Sequence, residues 1–166
     1  HCKMMRDDAT IVALDGVSAY DNVSRAEMFR ALLGSAELAP LLPYARTFYG
    51  RTSRYVRYDD DGACHEIRQG EGVEQGDALS PAFFSLAPHR ALEEANARLQ
   101  PGEALIAYLD DVYILTRPER ARAAFDTVTQ VIEDTAGIRP NLGKCVCWNA
   151  RGGAAPPGIA ELGSEE

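Results

Sequence analysis

Three aspartates lie in two short segments of the sequence that are flanked by apolar residues. Asp15 follows the apolar run at residues 10–14, and Asp110 and Asp111 separate two further apolar runs. Carboxylates in such surroundings are costly, because adjacent acids repel each other and burial removes their hydration. A divalent cation offsets that cost, and Mg²⁺ binds one or two carboxylates together with phosphate oxygens. The pattern indicates metal-assisted phosphate chemistry, although each segment taken alone is better explained as a strand end or a hairpin turn.

A third segment, with the sequence Q-G-D-A-L-S-P at residues 75–81, comes directly before a predicted helix. Ser80 can cap that helix, and Pro81 suits its first position. A capped joint between loop and helix does not explain Gln75 or Gly76. Because glycine lets a backbone approach a ligand closely, we interpret these two residues as candidate ligand contacts.

The elements that must position these residues follow from apolar periodicity, capping signals and turn residues. Strands are predicted at residues 10–14, 52–58, 63–68, 104–109, 112–116 and 145–148. Helices are predicted at residues 24–34, 37–49, 81–99 and 118–136, the third with a kink at Pro88. This order predicts an α+β fold in which an antiparallel sheet of the split βαβ (ferredoxin-like) type has helices packed on one face. Such a sheet places the end of its first strand beside the turn of its central hairpin.

The length of 166 residues fits one domain. We assign residues 1–150 to it and expect residues 151–166, rich in Gly, Ala, Pro and acids, to be a disordered tail. Neither a membrane-spanning run nor a secretory signal is evident, so an intracellular protein of nucleus or cytoplasm is expected, with no membrane partner. The cysteines are expected to be reduced thiols: Cys2, Cys64, Cys145 and Cys147.

The order of the three segments is similar to that of the palm motifs of reverse transcriptases. Asp15–Asp21 has the pattern D-x-x-x-A-Y-D, the Q-G-D-A-L-S-P loop follows it, and Tyr108–Asp111 reads Y-L-D-D. These motifs most resemble those of non-LTR retrotransposons and group II intron-like elements. Residues 137–145 are similar to the motif that these enzymes carry after the catalytic hairpin. The resemblance covers roughly residues 10–148 and implies the fold of a polymerase palm.

The resemblance also implies roles for the acids. Asp15, Asp110 and Asp111 match metal-binding carboxylates, with Asp111 the least essential as a direct ligand. The backbone carbonyl of Gly16 matches a further metal ligand. The implied cofactor is a pair of Mg²⁺ ions, with Mn²⁺ as a possible substitute. The implied reaction is RNA-directed addition of deoxynucleotides to a primer 3′-hydroxyl.

The remaining motif residues match positions that bind nucleotide or template. Tyr20 matches an aromatic gate that excludes a 2′-hydroxyl, and it is alternatively a core aromatic. Gln75, Gly76 and Tyr108 match contacts to the incoming nucleotide and the template. Lys144 matches a lysine that neutralises the triphosphate or protonates the leaving pyrophosphate, and it is equally well explained as a solvated surface lysine.

The formal net charge of −8 is unusual for a protein that binds nucleic acid, because Lys and Arg normally supply most of the affinity for phosphates. The implied partners are an RNA or DNA template with its primer and deoxynucleoside triphosphates. We expect the basic fingers and thumb of the family to be supplied by a longer chain. Within this chain, Arg46, Arg51, Arg54 and Arg57, interleaved with tyrosines, are the local candidates for contacting nucleic acid, although an exposed hairpin explains them nearly as well.

Two other functions stay open. The chain could be a catalytically inactive remnant of a retroelement that retains only the fold or a partner-binding role. It could also be a generic two-metal nuclease or phosphatase. Tyr20 and the Gln75–Gly76 loop argue against the hydrolase, since hydrolysis needs no sugar gate.

Overall fold

The computed structural model describes residues 8–160 and 162. The strands are β1 (Thr10–Leu14), β2 (Ser53–Tyr58), β3 (Cys64–Gln69), β4 (Ala104–Tyr108), β5 (Asp111–Thr116) and β6 (Val146–Asn149). The α-helices are α1 (Ala19–Asn22), α2 (Arg25–Gly34), α3 (Leu42–Tyr49), α4 (Ser80–Leu86), α5 (His89–Arg98) and α6 (Ala121–Ala136). Single 3₁₀ turns occupy Ala39–Leu41, Pro118–Arg120 and Leu142–Lys144.

The main sheet has four strands in the order β4-β5-β1-β6, and each strand is antiparallel to its neighbours. The chain leaves β1 through helices, returns as the β4–β5 hairpin, and crosses through α6 to β6. This connectivity is that of a split βαβ sheet. The predicted α+β class and the antiparallel sheet are confirmed. Strands β2 and β3 form a separate two-stranded sheet.

One face of the main sheet packs on the helices. Because successive side chains of a strand point to opposite faces, Val12 and Leu14 of β1 enter the core. The core also holds seven buried residues of α6: Ala121, Ala124, Phe125, Val128, Val131, Ile132 and Ala136. On the opposite face, apolar side chains are exposed on three strands: Ile106, Tyr113, Val146 and Trp148. The predicted packing of helices on one face is therefore confirmed.

Helix boundaries follow the capping signals, with three exceptions at prolines. One is the predicted helix at residues 118–136, which begins with the 3₁₀ turn Pro118–Arg120. The predicted helix at residues 37–49 is a 3₁₀ turn followed by α3, with a proline in the first turn of each. The predicted helix at residues 81–99 is two helices, α4 and α5, separated at Ala87–Pro88. Pro88 has no N–H to continue the hydrogen-bonded ladder, so it ends one helix and precedes the next instead of only kinking a single helix.

The segment after residue 150 was expected to be a disordered tail, and its described part is instead packed. Ile159 and Leu162 are buried and belong to the hydrophobic core. Arg122 Nη1 on α6 donates a hydrogen bond to the carbonyl of Gly158 at 3.0 Å. Burial of these apolar residues offsets the conformational entropy that is lost when the segment is ordered.

Arg25, at the start of α2, joins three parts of the chain. Its guanidinium is buried and donates to the carbonyls of Gly72 at 2.8 Å and Arg51 at 2.9 Å, and to Ser53 Oγ at 3.1 Å. A buried charge is tolerated only when its donors are satisfied. Arg25 therefore holds the loop at Gly72 and the start of β2 against α2.

Across the described residues, no helix is long and apolar enough to span a membrane.

Gly72 lets the loop before α4 lie against the chain that follows β1. Its N–H donates to the carbonyl of Val23 at 2.8 Å, and the Val73 N–H donates to the carbonyl of Tyr20 at 2.7 Å. Gly72 has φ +79°, and a Cβ at this position would overlap the carbonyl oxygens of Tyr20 and Asp21. Glycine is therefore required here both for backbone conformation and for space.

Gly72→Ala is expected to destabilise the fold strongly, because it adds a steric overlap to the strain of a left-handed backbone. We expect a loss of about 3 kcal/mol or more in the free energy of unfolding, from about 1–2 kcal/mol of strain and a similar overpacking cost. Gly62→Ala is the matched control. Gly62 has φ +77° but nothing within 4 Å of its added Cβ, so it should lose only the strain. Urea denaturation of both variants measures the difference, and equal losses would contradict the close-approach role of Gly72.

Candidate active site

The pairing of β1 with β5 brings the acidic segments together. Leu14 is the register partner of Val112, so Asp15 lies one residue beyond the last pair, beside the start of β5 at Asp111. Tyr108 pairs with Asp111, which leaves Leu109 and Asp110 as the two-residue loop of the β4–β5 hairpin. The predicted proximity of the first strand end and the hairpin turn is present in the structure.

Asp15 and Asp110 line one small cavity together with Gly16 and Leu109. The rest of its wall is mostly apolar and comes from helices and from the segment after α6, including Phe84, Pro88, Leu92, Ile132 and Ile138. Asp111 and Lys144 do not line this cavity. Both aspartates thus border one confined space with mostly apolar surroundings, where the attraction between a carboxylate and a cation is stronger than in water.

The hairpin loop has a strained backbone. Leu109 has φ +56°, a left-handed conformation that a branched side chain rarely adopts. Such a residue costs about 1–2 kcal/mol and persists only where the surrounding structure holds it. The strain lies directly beside Asp110, as is common at functional sites.

Residues 138–145 wrap around the end of β1. The Asn141 N–H donates to the carbonyl of Asp15 at 2.7 Å, and the Val17 N–H donates to the carbonyl of Arg139 at 2.9 Å. A Cβ on Gly16 would come within 2.6 Å of Ile138 Cγ2, so close packing requires glycine here. Within the described chain, no hydrogen bond reaches the Gly16 carbonyl, which leaves that oxygen available to a ligand.

Lys144 lies near this site but makes no contact with the acids. Its side chain is exposed, and its N–H donates to the carbonyl of Asn141 at 3.0 Å. The next residue, Cys145, is beside Asp15. Burial raises the pKa of the Cys145 thiol, a hydrogen bond from the Asp15 backbone N–H opposes that rise, and the negative charge of Asp15 adds to it. Lys144 thus directly precedes, in the sequence, a residue that lies beside Asp15.

Tyr20 connects the acids to the helices. Its ring stacks flat on Phe84, with centroids 4.3 Å apart and planes at 6°. Burial raises the pKa of Tyr20, and the charge of Asp110 raises it further. Tyr20 is thus half-buried, as a core aromatic would be. It does not line the cavity itself, but Phe84, on which its ring stacks, does.

Gln75, Gly76 and Tyr108 are exposed and do not line the cavity. Tyr108 ends β4, directly before the hairpin loop, and its side chain is 75% exposed. Gly76 has φ +101°, a conformation that favours glycine. The loop that carries Gln75 and Gly76 connects to the site through the backbone bond between Val73 and Tyr20.

The residues present suit Mg²⁺ only in part. Across residues 8–160 and 162, no group of three or more acidic, His or Cys side chains is close enough to bind a metal ion by itself. Mg²⁺ usually binds one or two carboxylates and takes its other ligands from water and phosphate. The pair Asp15 and Asp110, with the free carbonyl of Gly16, fits such a site when a substrate supplies the remaining oxygens.

Two members of the candidate cluster of arginines and tyrosines, Tyr49 and Arg54, are engaged within the protein. Tyr49 is buried, with 2% of its surface exposed. Arg54 is bound by both oxygens of Glu66, at 3.0 and 2.6 Å, which neutralises its charge. Tyr55 and Tyr58 remain exposed on the β2–β3 hairpin.

Three residues near the site were not identified from the sequence: Arg25, Gly72 and Asp77. Gly72 belongs to a G-E-G pattern, and glycines spaced this closely indicate a backbone conformation that other residues rarely adopt. Asp77 accepts hydrogen bonds from two tyrosines of α3, Tyr44 and Tyr49. The contacts of Arg25 and Asp77 join residues that are distant in sequence, and no local pattern marks them.

Solved structures with a similar fold include telomerases. A telomerase chain from Candida tropicalis, solved with a TWJ fragment of telomeric RNA, aligns with a TM-score of 0.68 and 13% identity over 88% of this chain and 26% of that chain. A telomerase chain from Candida albicans, also solved with such a fragment, has a TM-score of 0.66, 15% identity and coverage of 89% and 28%. At these identities the likeness shows the fold alone.

Sequence relatives include two retrotransposon proteins. The retrotransposable element SLACS 132 kDa protein of Trypanosoma brucei gambiense is 30% identical over 145 residues, 86% of this chain and 12% of the relative. The retrovirus-related Pol polyprotein from type-2 retrotransposable element R2DM of Drosophila melanogaster is 26% identical over 150 residues, 86% of this chain and 14% of the relative. The chain thus spans only a small part of the length of these relatives.

The sequence profile described as reverse transcriptase (RNA-dependent DNA polymerase) matches residues 1–158, nearly the whole chain. This match agrees with the family that the order of the motifs predicted and with the two retrotransposable-element proteins among its relatives. The chain belongs to the reverse transcriptase family.

Proposed function

We propose that this chain is the palm of an RNA-directed DNA polymerase that adds deoxynucleotides to a primer 3′-hydroxyl. The observation that carries the proposal is that Asp15 and Asp110 border one cavity, whose wall includes Phe84, the residue on which the Tyr20 ring stacks. An acid pair alone supports only phosphate chemistry. The Tyr20 ring, stacked on a residue of the cavity wall, supports selection of a sugar, which nucleotide addition requires and hydrolysis does not.

Asp15, Asp110, Asp111 and the Gly16 carbonyl would bind two Mg²⁺ ions or their Mn²⁺ substitutes. When bound, such ions activate the primer hydroxyl and stabilise charge on the transferring phosphate. The chain fixes its ligands through the backbone: β1 ends at Leu14, the hairpin loop presents Asp110, and the Asn141 N–H holds the Asp15 carbonyl. Asp111, outside the cavity, is the least direct of the acids.

The other motif residues bind the substrates in this proposal. Tyr20, fixed by stacking on Phe84, packs against the sugar. Gln75, Gly76 and Tyr108 are exposed and contact the incoming nucleotide and the template. Lys144, which directly precedes a residue beside Asp15 in the sequence, neutralises the triphosphate or protonates the pyrophosphate.

The template, primer and deoxynucleoside triphosphates are the proposed partners. The net charge of −8 gives this chain little attraction for a nucleic-acid duplex. The positive surfaces that grip template and duplex are therefore proposed to come from fingers and thumb regions outside this chain.

Asp110→Asn should abolish Mg²⁺-dependent primer extension on an RNA template. The loss of several kcal/mol of metal-assisted stabilisation corresponds to a rate lower by about 100-fold or more. Asp60→Asn is the control, because Asp60 is an exposed acid of the β2–β3 turn. The rate of single-nucleotide addition is the measurement, made with fingers and thumb of a related enzyme supplied. Equal rates of extension by wild type and Asp110→Asn would contradict the role of Asp110, and no extension by wild type would support the inactive remnant instead.

Tyr20→Ala should relax the selection of deoxynucleotides over ribonucleotides, because removal of the ring opens space at the 2′ position. The ratio of kcat/KM for the two sugars is expected to fall about tenfold, within the range that a steric pocket provides. Tyr20→Phe keeps the ring and should keep the ratio. A ratio that stays constant in Tyr20→Ala would show that Tyr20 is only a core aromatic.

A further inference from the structure

The loop between β3 and α4 contains a carboxylate that two tyrosines of α3 bind. Asp77 Oδ1 accepts from Tyr44 Oη at 2.8 Å and from the Leu79 N–H at 3.0 Å, and its Oδ2 accepts from Tyr49 Oη at 2.5 Å. Burial would raise the pKa of Asp77, but the hydrogen bonds from Tyr49, the Leu79 N–H and Tyr44 together lower it. Asp77 is thus held as an ionised acceptor between α3 and the loop.

The hydroxyl of Tyr49 lies at the centre of these contacts. Besides Asp77, it lies 3.2 Å from Ser80 Oγ and accepts from the Glu74 N–H at 3.4 Å. Ser80 Oγ in turn donates to the Glu74 carbonyl. The two ends of the segment from Glu74 to Ser80 are therefore hydrogen-bonded to each other, and both also contact the buried hydroxyl of Tyr49 on α3.

The ring of Tyr49 is itself held from two sides. Phe83 of α4 meets it edge-on, with centroids 5.7 Å apart, and the guanidinium of Arg25 lies 5.3 Å from its centroid. Arg25 also donates to the Gly72 carbonyl. The buried guanidinium of Arg25 thus contacts both Tyr49, which binds Asp77, and Gly72, which begins the part of the loop that lies against the Tyr20 backbone.

Gln75 and Gly76 lie between these anchored positions and point to solvent. The Gln75 side chain makes no hydrogen bond to any residue the structure describes, and nothing lies within 4 Å of a Cβ placed on Gly76. On one side, the Val73 N–H binds the Tyr20 carbonyl at 2.7 Å. On the other side, Asp77 binds α3. The two exposed residues are therefore held at a fixed position relative to Tyr20.

We propose that Asp77 and Tyr49 are positioning residues for the nucleotide: they hold the Gln75–Gly76 loop in place before the substrate binds. The proposal rests on the function proposed above and adds residues outside the candidate nucleotide contacts. A preformed loop loses less conformational freedom on binding, so the nucleotide binds more tightly. Without the contacts between Tyr49 and Asp77, the loop would become ordered only when the nucleotide binds. The free energy of ordering the loop would then reduce the affinity for the nucleotide.

The test compares variants that each lack one hydroxyl. Tyr49→Phe and Tyr44→Phe remove single donors to Asp77 and keep the aromatic ring. Tyr58→Phe is the matched control, because Tyr58 is 67% exposed on the β2–β3 hairpin and lies outside the network. Three quantities are measured on the full chain: affinity for Mn²⁺ with dATP, affinity for Mn²⁺ alone, and hydrogen exchange at the amides of Val73, Leu79 and Ser80.

Tyr49→Phe should weaken dATP binding about tenfold, the effect of losing one hydrogen bond to a charged group. Its loop amides should exchange faster, while its affinity for Mn²⁺ alone should stay within about twofold of wild type. Tyr44→Phe should change these quantities in the same direction and to a smaller extent, because Tyr44 donates only to Asp77. Tyr58→Phe should match wild type.

Two results would overturn the proposal while the proposed function stands. In the first, both variants bind dATP as wild type does. In the second, affinity for Mn²⁺ alone falls in parallel with affinity for dATP, which a general loss of structure would produce. Failure of the wild-type chain to bind Mn²⁺ with dATP would instead refute the proposed function and the positioning role together.

Discussion

The register between β1 and β5 is the constraint on which the site depends. Leu14 opposite Val112 places Asp15 beside the hairpin loop that carries Asp110. A shift by one residue would turn every side chain of β1 to the other face, exposing Val12 and changing the position of Asp15 relative to the hairpin loop. The buried alternation that stabilises the sheet therefore also fixes the distance between the two acids. Core packing and the candidate metal site are determined by the same set of hydrogen bonds.

The neighbouring segments are fitted to this register by close backbone contacts. Gly16 packs under Ile138, and Gly72 packs on the carbonyls of Tyr20 and Asp21, at places where a Cβ cannot be accommodated. Leu109 holds a left-handed backbone next to Asp110. Such positions lower stability slightly and are maintained by the surrounding packing. Their concentration around the acids and Tyr20 is what we expect where function, and not stability, selects the geometry.

Much of this arrangement follows from the sequence. The apolar run before Asp15, the capping residue Ser24 and the terminating Gly137 fix their elements locally, and the order of elements then predicts the sheet. What local patterns could not predict are contacts over long sequence distances. Arg25 reaches Gly72, and Tyr49 reaches Asp77, because the tertiary fold brings them together. The composition of the last segment likewise did not predict the burial of Ile159, because the core that covers this residue forms only when the chain has folded.

The central claim is that Asp15 and Asp110 bind metal ions when a nucleotide is present. It is tested most directly by crystals grown with Mn²⁺ and a deoxynucleoside triphosphate, measured at the manganese absorption edge. The account predicts two anomalous peaks between these carboxylates, one of them also within bonding distance of the Gly16 carbonyl. A map in which the nucleotide is bound but no peak lies within bonding distance of Asp15 would contradict it.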